Sequence, residues 1–531
     1  MAKSSLTVQR ARIAKPAGAC LGVLLGVAVA VAQAGERPNI LFIMSDDHAV
    51  RAVSVYGDSL VQTPNIDRIA KNGIRFDRAY VGNAICGPSR ATMLTGLHSH
   101  GNGFYSNEWS GPFDGQQQTV SRLLQDAGYR TAVIGKWHLY SDPVGFDHWD
   151  VIDNAMEQGT YYNPSFRSPA GEQAATGYVA ELITDKAIAW LSSVSGDDEP
   201  FFLMYNHKTP HRDWLPGPRE LADWDEGARL PEPDSLFRDL EQANSARRDA
   251  RMSIAQHMTD HDVKLSMRGN LNEEQQALWE GAFAAGNTAY EAADLSGADE
   301  IRWKYQRYVK SYAAAVASMD REIGRLLDYL ESNGLADDTL VIYTSDQGFF
   351  LGENGWFDKR WMDEVSARIP LVAQWPGTIP PGATTEALVQ NIDFAPTLLD
   401  VADVSAPQPM HGVSLVELLS GKSPDWQRDL YYHFYENPGF HGVARHYGIR
   451  DQRYKLVHYY ETGDWELFDL ETDPGDQENL YGTHGYAELT ADLKSRLGAL
   501  RARYGVPAED PEVPWYHDFV IRMIEQLMRL M

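Results

Sequence analysis

The chain has 531 residues, of which 43% are hydrophobic, and its formal net charge at pH 7 is -27. This length leaves room for a large core and more than one folded unit, so a small scaffold held by disulfides or zinc is excluded. The acidic balance argues against nucleic acid or an anionic membrane as a partner, although a pocket that concentrates Lys, Arg or a metal would still admit a small anion.

Residues 1–34 have the pattern of a secretory signal peptide. A basic leader precedes an apolar run at residues 17–32, and small residues then predict cleavage after Ala34. The run is shorter than the roughly 20 residues that cross a bilayer, so we expect no stable membrane span, and a membrane anchor is the alternative. We predict an exported protein, periplasmic or secreted. Its mature net charge would be near -31, because the leader has no acids and four cations, Lys3, Arg10, Arg12 and Lys15.

The chain contains two cysteines, Cys20 and Cys86. Cys20 is lost with the signal peptide, so the mature protein forms no internal disulfide even in an oxidising compartment. A lipoprotein is disfavoured because Cys20 lies at the start of the apolar run rather than at its end. A single buried thiol is usually inert, but the residues around Cys86 favour a reactive role.

Four predicted strands end in polar, titratable residues. The apolar runs begin near Asn39, Tyr129, Phe201 and Leu340, and their continuity is typical of parallel strands covered on both faces. Open α/β sheets place their sites at the carboxyl ends of such strands. Adjacent carboxylates usually share a cation, with a solvated turn as the alternative. The residues that follow the four runs are Asp46, Asp47 and His48; Lys136 and His138; His207, Lys208, His211 and Arg212; and Asp346 and Gln347.

The fold class that these patterns predict is α/β. We expect a large, mostly parallel central sheet covered by helices on both faces, and a smaller C-terminal α/β domain with an antiparallel sheet. Pro88 introduces a predicted helix at residues 89–94, whose positive end would lie beside Cys86. The predicted domains are the signal peptide at 1–34, a catalytic domain at 35–424 with a helical insertion at 212–300, and a C-terminal subdomain at 425–531. Other predicted elements are a long helix at 303–330, strands at 74–80, 442–450, 454–460 and 465–469, and helices at 486–504 and 518–530.

Residues 86–96, CGPSRATMLTG, resemble the signature of the formylglycine-dependent type I sulfatases of the alkaline phosphatase superfamily. The resemblance spans residues 36–505, and it implies an alkaline phosphatase-like fold and a sulfuric ester hydrolase. It also implies that a separate maturation enzyme oxidises Cys86 to formylglycine. In that family one hydroxyl of the hydrated aldehyde attacks sulfur and the second expels sulfate. The other matching segments are 46–47, 135–138, 210–211, 345–348, 357–359 and 466–474.

The resemblance assigns roles to ten residues. One calcium ion would be bound by Asp46, Asp47, Asp346, Gln347 and an oxygen of the modified Cys86, all hard oxygen ligands. Many relatives carry Asn or His at the Gln347 position, and the amide oxygen of Gln347 keeps the ligand type. The chain has no Cys/His cluster for structural zinc. Arg90 would hold the formylglycine segment, Lys136 and Lys359 would bind sulfate oxygens, His138 would be the base, and His211 the acid for the leaving alcohol.

Residues 207–214 and 344–359 look most similar to bacterial N-acetylglucosamine-6-sulfatase-like enzymes. This implies a sulfated carbohydrate substrate, such as a glycosaminoglycan or mucin glycan. Candidate sugar contacts are His207, Arg212, Trp214, His441, Arg445 and His446. Domain packing or surface charge explains each of the last five equally well, His207 is substrate-contacting or structural, and Lys208 is expected to be solvated.

Two alternatives remain at this point. A phosphonate monoester or phosphodiester hydrolase of the same superfamily can share the modified cysteine and the metal site. A catalytically silent relative that binds sulfated glycans would be expected to lack Cys86, Lys136 or the Asp46-Asp47 pair, and this chain retains all of them.

Overall fold

The computed structural model describes residues 37–153, 158–241, 243–267, 269–422, 426–521 and 523. The predicted signal peptide and the predicted boundary at residue 424 lie outside these ranges, so both stay predictions. In the described part of the chain, no helix combines the length and the apolar character needed to cross a membrane.

The strands are short apart from those at the centre of the main sheet. In chain order they are β1 (Asn39–Ser45), β2 (Ile74–Phe76), β3 (Ala79–Tyr80), β4 (Arg130–Gly135), β5 (His148–Asp153), β6 (Ser165–Ser168), β7 (Gly171–Ala174), β8 (Phe201–Asn206), β9 (Thr339–Ser345), β10 (Phe350–Leu351), β11 (Phe357–Asp358), β12 (Arg368–Ile369), β13 (Leu371–Gln374), β14 (Ala383–Thr385), β15 (Val389–Gln390), β16 (Leu430–Phe434), β17 (His446–Arg450), β18 (Tyr454–Tyr459) and β19 (Asp464–Asp469).

The helices include one of 36 residues, α10. In chain order they are α1 (Pro64–Lys71), α2 (Cys86–Thr95), α3 (Ser99–Asn102), α4 (Val120–Asp126), α5 (Val179–Val194), α6 (Pro218–Ala222), α7 (Ser245–Asp249), α8 (Ile254–His257), α9 (Glu273–Ala293), α10 (Gly297–Ser332), α11 (Glu364–Ala367), α12 (Phe394–Val401), α13 (Val416–Leu419) and α14 (Ala487–Arg503). Short 3-10 helices lie at Val50–Ala52, Ser54–Tyr56, Asp234–Phe237, Glu353–Gly355 and Asn391–Asp393.

The main sheet has ten strands in the order β14-β2-β13-β9-β1-β8-β4-β5-β6-β7. The five strands from β9 to β5 in this order are mutually parallel, whereas β13 and β6 attach antiparallel. This arrangement confirms the predicted, mostly parallel sheet. It also places the carboxyl ends of β1, β4, β8 and β9 at one edge.

Strand β1 shows why the sheet is covered on both faces. Ile40 and Phe42 belong to one hydrophobic cluster, which includes residues of α2, α4 and α12. Leu41 and Ile43 belong to a second cluster with residues of α1, α5 and α10. Because successive side chains of a strand point to opposite faces, a continuous apolar run needs two packed layers.

The C-terminal region forms an antiparallel sheet, β16-β17-β18-β19, with α14 packed against it. This confirms the predicted smaller α/β unit. The segment predicted as one strand at 74–80 is instead two, β2 and β3, which join different sheets. Residues 212–300 contain α6 to α9 and the start of α10, which begins at Gly297 rather than at residue 303.

Candidate active site

The three aspartates of the site follow β1 and β9. Ser45 of β1 pairs with Ser345 of β9, so the residues after these strands emerge side by side. Oxygen atoms of Asp46, Asp47 and Asp346 all lie within 4.8 Å of one another, and the three side chains are fully buried. The backbone N–H of Asp47 donates to Asp346 Oδ1 at 3.1 Å. The strand register therefore brings the predicted metal ligands together.

Cys86 is the first residue of α2, a helix buried along its whole length. Its Sγ atom lies 4.0 Å from Asp47 Oδ1 and 3.5 Å from Gln347 Nε2. Burial raises the pKa of the Cys86 thiol, and the nearby cation of Lys359 does not offset this. The unmodified side chain is thus a protonated thiol, a poor nucleophile.

Arg90 lies one helical turn after Cys86 and ties α2 to two strand ends. Its Nε and Nη2 atoms donate to Asp346 Oδ2 at 3.0 and 2.8 Å, and Nη1 donates to the Lys136 carbonyl oxygen at 2.8 Å. Arg90 also lies 3.6 Å from Asp46 Oδ1. It is therefore placed to fix the Cys86 segment, as the resemblance implied.

The acids carry an electrostatic signature of a cation site. Burial raises the pKa of Asp47 to about 6 and that of Asp346 to about 7. Burial acts in the same direction on Asp46, but the charges of Lys136, His211 and Arg90 hold its pKa well below the usual range. Two buried oxygens, Asp46 Oδ1 and Gln347 Oε1, have no hydrogen-bond partner among the described residues. Three clustered carboxylates, one of them with a buried oxygen that accepts no hydrogen bond from the described residues, fit a hard divalent cation such as calcium, and the amide of Gln347 can add a fourth oxygen.

Two buried lysines face these carboxylates. Lys136 follows β4, and its Nζ contacts Asp46 and lies 2.8 Å from Gln158 Oε1. Lys359 follows β11, and its Nζ lies 2.6 Å from both oxygens of Asp47. Gly135 permits the tight exit from β4, because its φ is +107° and a Cβ there would lie 1.9 Å from the Asn206 carbonyl oxygen.

His211 lies beside Asp47, with 3.7 Å between its Nε2 and Asp47 Oδ2. Its Nδ1 donates to the Arg212 carbonyl oxygen at 2.8 Å, so Nε2 is the nitrogen free to exchange a proton. Burial and then the charge of Lys136 lower the pKa of His211 well below its usual range. The side chain is 15% exposed, in contrast to the closed cluster behind it.

His138 is enclosed by two residues that no pattern in the sequence predicted. Its Nε2 lies 3.2 Å from the Tyr140 hydroxyl and 2.9 Å from Gln158 Nε2. Gln158 thus contacts both Lys136 and His138 although it lies far along the chain from either. Burial lowers the pKa of His138 well below its usual range.

Three of the candidate sugar contacts lie in packed or paired positions. Trp214 is fully buried, and its ring centroid lies 4.4 Å from that of Tyr308. His446 is fully buried and stacks on Trp361. Arg212 forms a fork of two hydrogen bonds with Asp262. Of the two explanations given for these residues, packing matches their positions.

The remaining candidates lie closer to the site or to its margin. His441 Nε2 lies 3.2 Å from Asp358 Oδ2, directly before Lys359 in the chain. Arg445 donates to the Asn437 carbonyl oxygen at 2.7 Å. His207 is fully buried, and neither ring nitrogen has a hydrogen-bond partner among the described residues.

Lys208 is buried rather than solvated, so that prediction was wrong. It is 3% exposed, and its Nζ lies 5.0 Å from the centroid of the Tyr161 ring. Burial and the charge of Lys136 lower the pKa of Lys208 to about 8. The ring of Tyr161 packs over the end of this side chain, which explains why Lys208 is buried although its sequence context predicted a solvated lysine.

Sequence reasoning also did not predict that charged side chains form a group next to Lys359, here called the charged wall, which consists of Asp358, Arg360, Glu436 and His441. Arg360 contacts Asp358, and its Nε lies 3.6 Å from Glu436 Oε1. Burial, together with the charge of Glu108, raises the pKa of Glu436 to about 8. Glu436 follows β16 and lies far from Lys359 in the sequence, so no local sequence pattern connects it to the site.

Comparison with known proteins places these features in a family. Residues 38–404 match the family model described as Sulfatase, and residues 352–503 match N-sulphoglucosamine sulphohydrolase, C-terminal. The chain is 46% identical over 489 residues to an N-acetylglucosamine-6-O-sulfatase of Bacteroides thetaiotaomicron, covering 88% of this chain and 87% of the relative.

Two solved structures extend the comparison. The first is a protein solved in complex with its substrate, D-glucosamine-2-N,6-O-disulfate. It is 45% identical to this chain with a TM-score of 0.86, and the match covers 89% of this chain and 99% of that chain. The other is a phosphonate monoester hydrolase from Silicibacter pomeroyi, 22% identical with a TM-score of 0.65, covering 88% and 96%. The second match shows a shared fold alone.

Proposed function

Because the chain is a sulfuric ester hydrolase that belongs to the sulfatase family, we propose that it removes the 6-O-sulfate of a glucosamine-type sugar. The observation that carries this proposal is the position of Cys86 between the three aspartates and the two buried lysines. The substrate is inferred from the relatives, one named as an N-acetylglucosamine-6-O-sulfatase and the other in complex with a 6-O-sulfated glucosamine.

The proposal includes two groups that complete the site. Oxidation of Cys86 to formylglycine by a maturation enzyme would supply a hydrated aldehyde as the nucleophile in place of the protonated thiol. One calcium ion would be bound by Asp46, Asp47, Asp346 and Gln347, and it would supply Lewis-acid polarisation of the reacting oxygens.

The residues of the chain would then divide the remaining work. Lys136 and Lys359 are buried cations that can bind sulfate oxygens and stabilise the charge that develops as the S–O bond breaks. His211, at the more open side of the cluster, would donate the Nε2 proton of its imidazolium form to the leaving alcohol. Because Nδ1 holds the proton of the neutral ring, this form requires a second proton, which the negative charge of a bound sulfate ester would favour. His138 would accept a proton from the nucleophile side, held in place by Gln158 and Tyr140.

Sugar recognition is proposed for the charged wall beside Lys359. Asp358, Arg360 and His441 offer an acceptor, a fixed cation and an imidazole within a few ångströms of the sulfate-binding lysine. Such a set can hydrogen-bond several hydroxyls of one ring, which would fix which ester reaches the nucleophile. We also propose export from the cytoplasm, on the basis of residues 1–34.

The test is sulfate release from a panel of defined sulfated sugars by protein made together with a formylglycine-generating enzyme. We expect the highest kcat/KM for glucosamine 6-sulfate or its N-substituted forms, and lower values for 2-N-, 3-O- and galactose 6-sulfates. Cys86→Ala is the matched control and should release no sulfate while keeping the wild-type thermal unfolding profile.

Three outcomes would contradict the proposal. A preference for aryl phosphonate over aryl sulfate would make the enzyme a phosphonate ester hydrolase. Mass spectrometry that found only alkylatable thiol at Cys86 in active protein would remove the formylglycine step. A preference for a galactose or uronic acid sulfate would overturn the substrate and leave the family unchanged.

A further inference from the structure

The C-terminal strap, residues 505–521, returns from the end of α14 to the catalytic domain. Asp510 accepts hydrogen bonds from the Tyr460 hydroxyl at 2.5 Å and from Arg445 at 3.2 Å. Further on, His517 Nε2 lies 3.2 Å from Glu108 Oε2, and Ile521 is buried. The strap is therefore fixed at three points along its length.

Its anchor on the catalytic domain lies close to Cys86. Asn107, next to Glu108, accepts a hydrogen bond from the backbone N–H of Gly87 at 2.8 Å. The backbone N–H of Asn107 in turn donates to Glu436 Oε2 at 2.8 Å, in the charged wall beside Lys359. One short loop thus connects the strap to the residue after the nucleophile and to the proposed sugar-binding wall.

The strap exposes large apolar side chains. Trp515 is 92% exposed, Phe519 70%, Tyr516 51% and the neighbouring Met523 45%. They make up four of the six large hydrophobic side chains that are exposed among the described residues; the other two are Phe237 and Val413. The rings of Trp515 and Tyr516 are edge to face, with centroids 5.8 Å apart. Clustered exposed apolar groups of this kind mark interaction surfaces more often than chance.

The chemistry of the surface favours a sugar as its occupant. The chain is strongly acidic, so charge does not attract a polyanionic glycan outside the cationic pocket. An aromatic ring offers a large, rigid contact area for the apolar face of a pyranose, and it needs no charge to do so. His517, two residues after Trp515, is hydrogen-bonded to Glu108. The adjacent residue in the chain, Asn107, accepts a hydrogen bond from the backbone N–H of Gly87, so the surface adjoins an anchor beside the pocket that would take the sulfated sugar.

We propose that Trp515 and its aromatic neighbours on the C-terminal strap bind a sugar unit of the glycan beyond the one that carries the sulfate. The inference rests on the proposed function, and it makes the enzyme prefer oligosaccharides to monosaccharides. Arg445 then has an indirect role, since it positions the strap through Asp510 and does not itself contact the sugar.

The test measures binding without turnover, in full-length protein that carries Cys86→Ala. Isothermal titration calorimetry would compare glucosamine 6-sulfate with a tetrasaccharide that bears this residue at one end, and with the same tetrasaccharide after chemical desulfation. We expect Trp515→Ala to weaken tetrasaccharide binding about tenfold, the scale of one lost aromatic contact, and to leave monosaccharide binding unchanged. Phe237→Ala, which removes an exposed aromatic residue away from the strap, is the matched control and should change neither.

The three ligands of this experiment distinguish a failure of this inference from a failure of the proposed function. If the monosaccharide does not bind, the proposed substrate is wrong, whereas the desulfated tetrasaccharide still reports on the strap. Equal tetrasaccharide affinities for Trp515→Ala and its parent would overturn the inference. So would a change from dimer to monomer in light scattering, or loss of binding to lipid vesicles, with glycan affinity unchanged, because the surface would then face a second copy or a membrane.

Discussion

Two clusters of buried charge in this protein are satisfied in opposite ways. In the interface cluster, Arg247 of α7 donates two hydrogen bonds to Asp363 at 2.9 and 3.0 Å and two to Glu466 of β19 at 2.8 Å. Burial would raise the pKa of Asp363, but Arg247 holds it below its usual range. This one side chain joins α7, the N-terminal end of α11 and the C-terminal sheet.

The active-site cluster is the opposite case. It contains Asp46, Asp47 and Asp346 opposite Arg90, Lys136 and Lys359, yet the pKa values of Asp47 and Asp346 are raised, and two buried oxygens have no hydrogen-bond partner in the described part of the chain. Counting charges does not separate the clusters, because each contains cations and acids. The hydrogen bonds separate them: the interface cluster is complete as folded, whereas the active-site cluster needs an added cation to become complete.

The largest expected effect comes from making the same substitution in each cluster. Asp346→Asn should lower kcat about 10³-fold or more, because it removes charge from the metal site. It should lower the unfolding free energy of the metal-free protein less than the matched substitution in the interface cluster, because burial raises the pKa of Asp346 to about 7 and an Asn oxygen can still accept a hydrogen bond from Arg90. Asp363→Asn, the matched control, should leave the kcat of folded protein nearly unchanged and should lower stability. If both variants lost mainly stability, the contrast between the clusters would fail.

The next effect concerns stability alone. Arg247→Met would remove the cation that pairs two buried carboxylates, and it should lower the unfolding free energy by about 3–5 kcal/mol. Arg496→Met is the control. Arg496 contacts three acids, Asp429, Asp451 and Asp492, but its side chain is 33% exposed, so we expect a loss of about 0–1 kcal/mol in the unfolding free energy. Urea unfolding curves measure both. Equal losses for the two variants would mean that burial is not what makes Arg247 important.

The effect of calcium on the unfolding free energy should also distinguish the two clusters, but by less than the substitutions above. A ligand that binds only the folded state at 100 times its Kd stabilises it by about 2.7 kcal/mol. We expect this gain when calcium is added to EDTA-treated wild type, and also in the Arg247→Met variant. Asp346→Asn should lose most of it. Magnesium is the comparison ion and should stabilise the wild type less, because it demands near-ideal octahedral geometry and gives up its bound water reluctantly.

The sequence predicted the parts of both fold and site that depend on local patterns. Continuous apolar runs predicted the central strands, and the residues that follow them include Asp46, Lys136 and Asp346, which the parallel register brings together. Gln158 and Glu436 were missed because each reaches the site from a distant segment whose own sequence carries no pattern. Lys208 was placed wrongly for a related reason: its burial depends on Tyr161, a long-range neighbour.

The smallest expected effect is a pH dependence that differs in sign between the clusters. Asp47 and Asp346 have folded pKa values of about 6 and about 7, above the ordinary value of 3.8, so folding takes up protons. Their contribution therefore favours folding at low pH and is lost as pH rises through 6 to 7, by at most about 1.4 kcal/mol per pH unit for each proton.

Glu364, next to the interface cluster, behaves in the opposite way. Burial would raise its pKa, but Arg450 and Lys455 lower it to about 2, so its contribution is present above pH 4.5 and is lost as pH falls towards 2. Urea unfolding in EDTA between pH 5 and 8 leaves Glu364 ionised throughout, and the comparison of wild type with Asp346→Asn isolates the active-site acids, because other acids that titrate in this range, such as Glu436, are common to both proteins. Wild type should lose stability as pH rises relative to Asp346→Asn, and saturating calcium should abolish the difference in slope, since bound metal keeps both carboxylates ionised. Parallel curves for the two proteins in EDTA would show that the aspartates titrate normally and that the cluster is not poised for a cation.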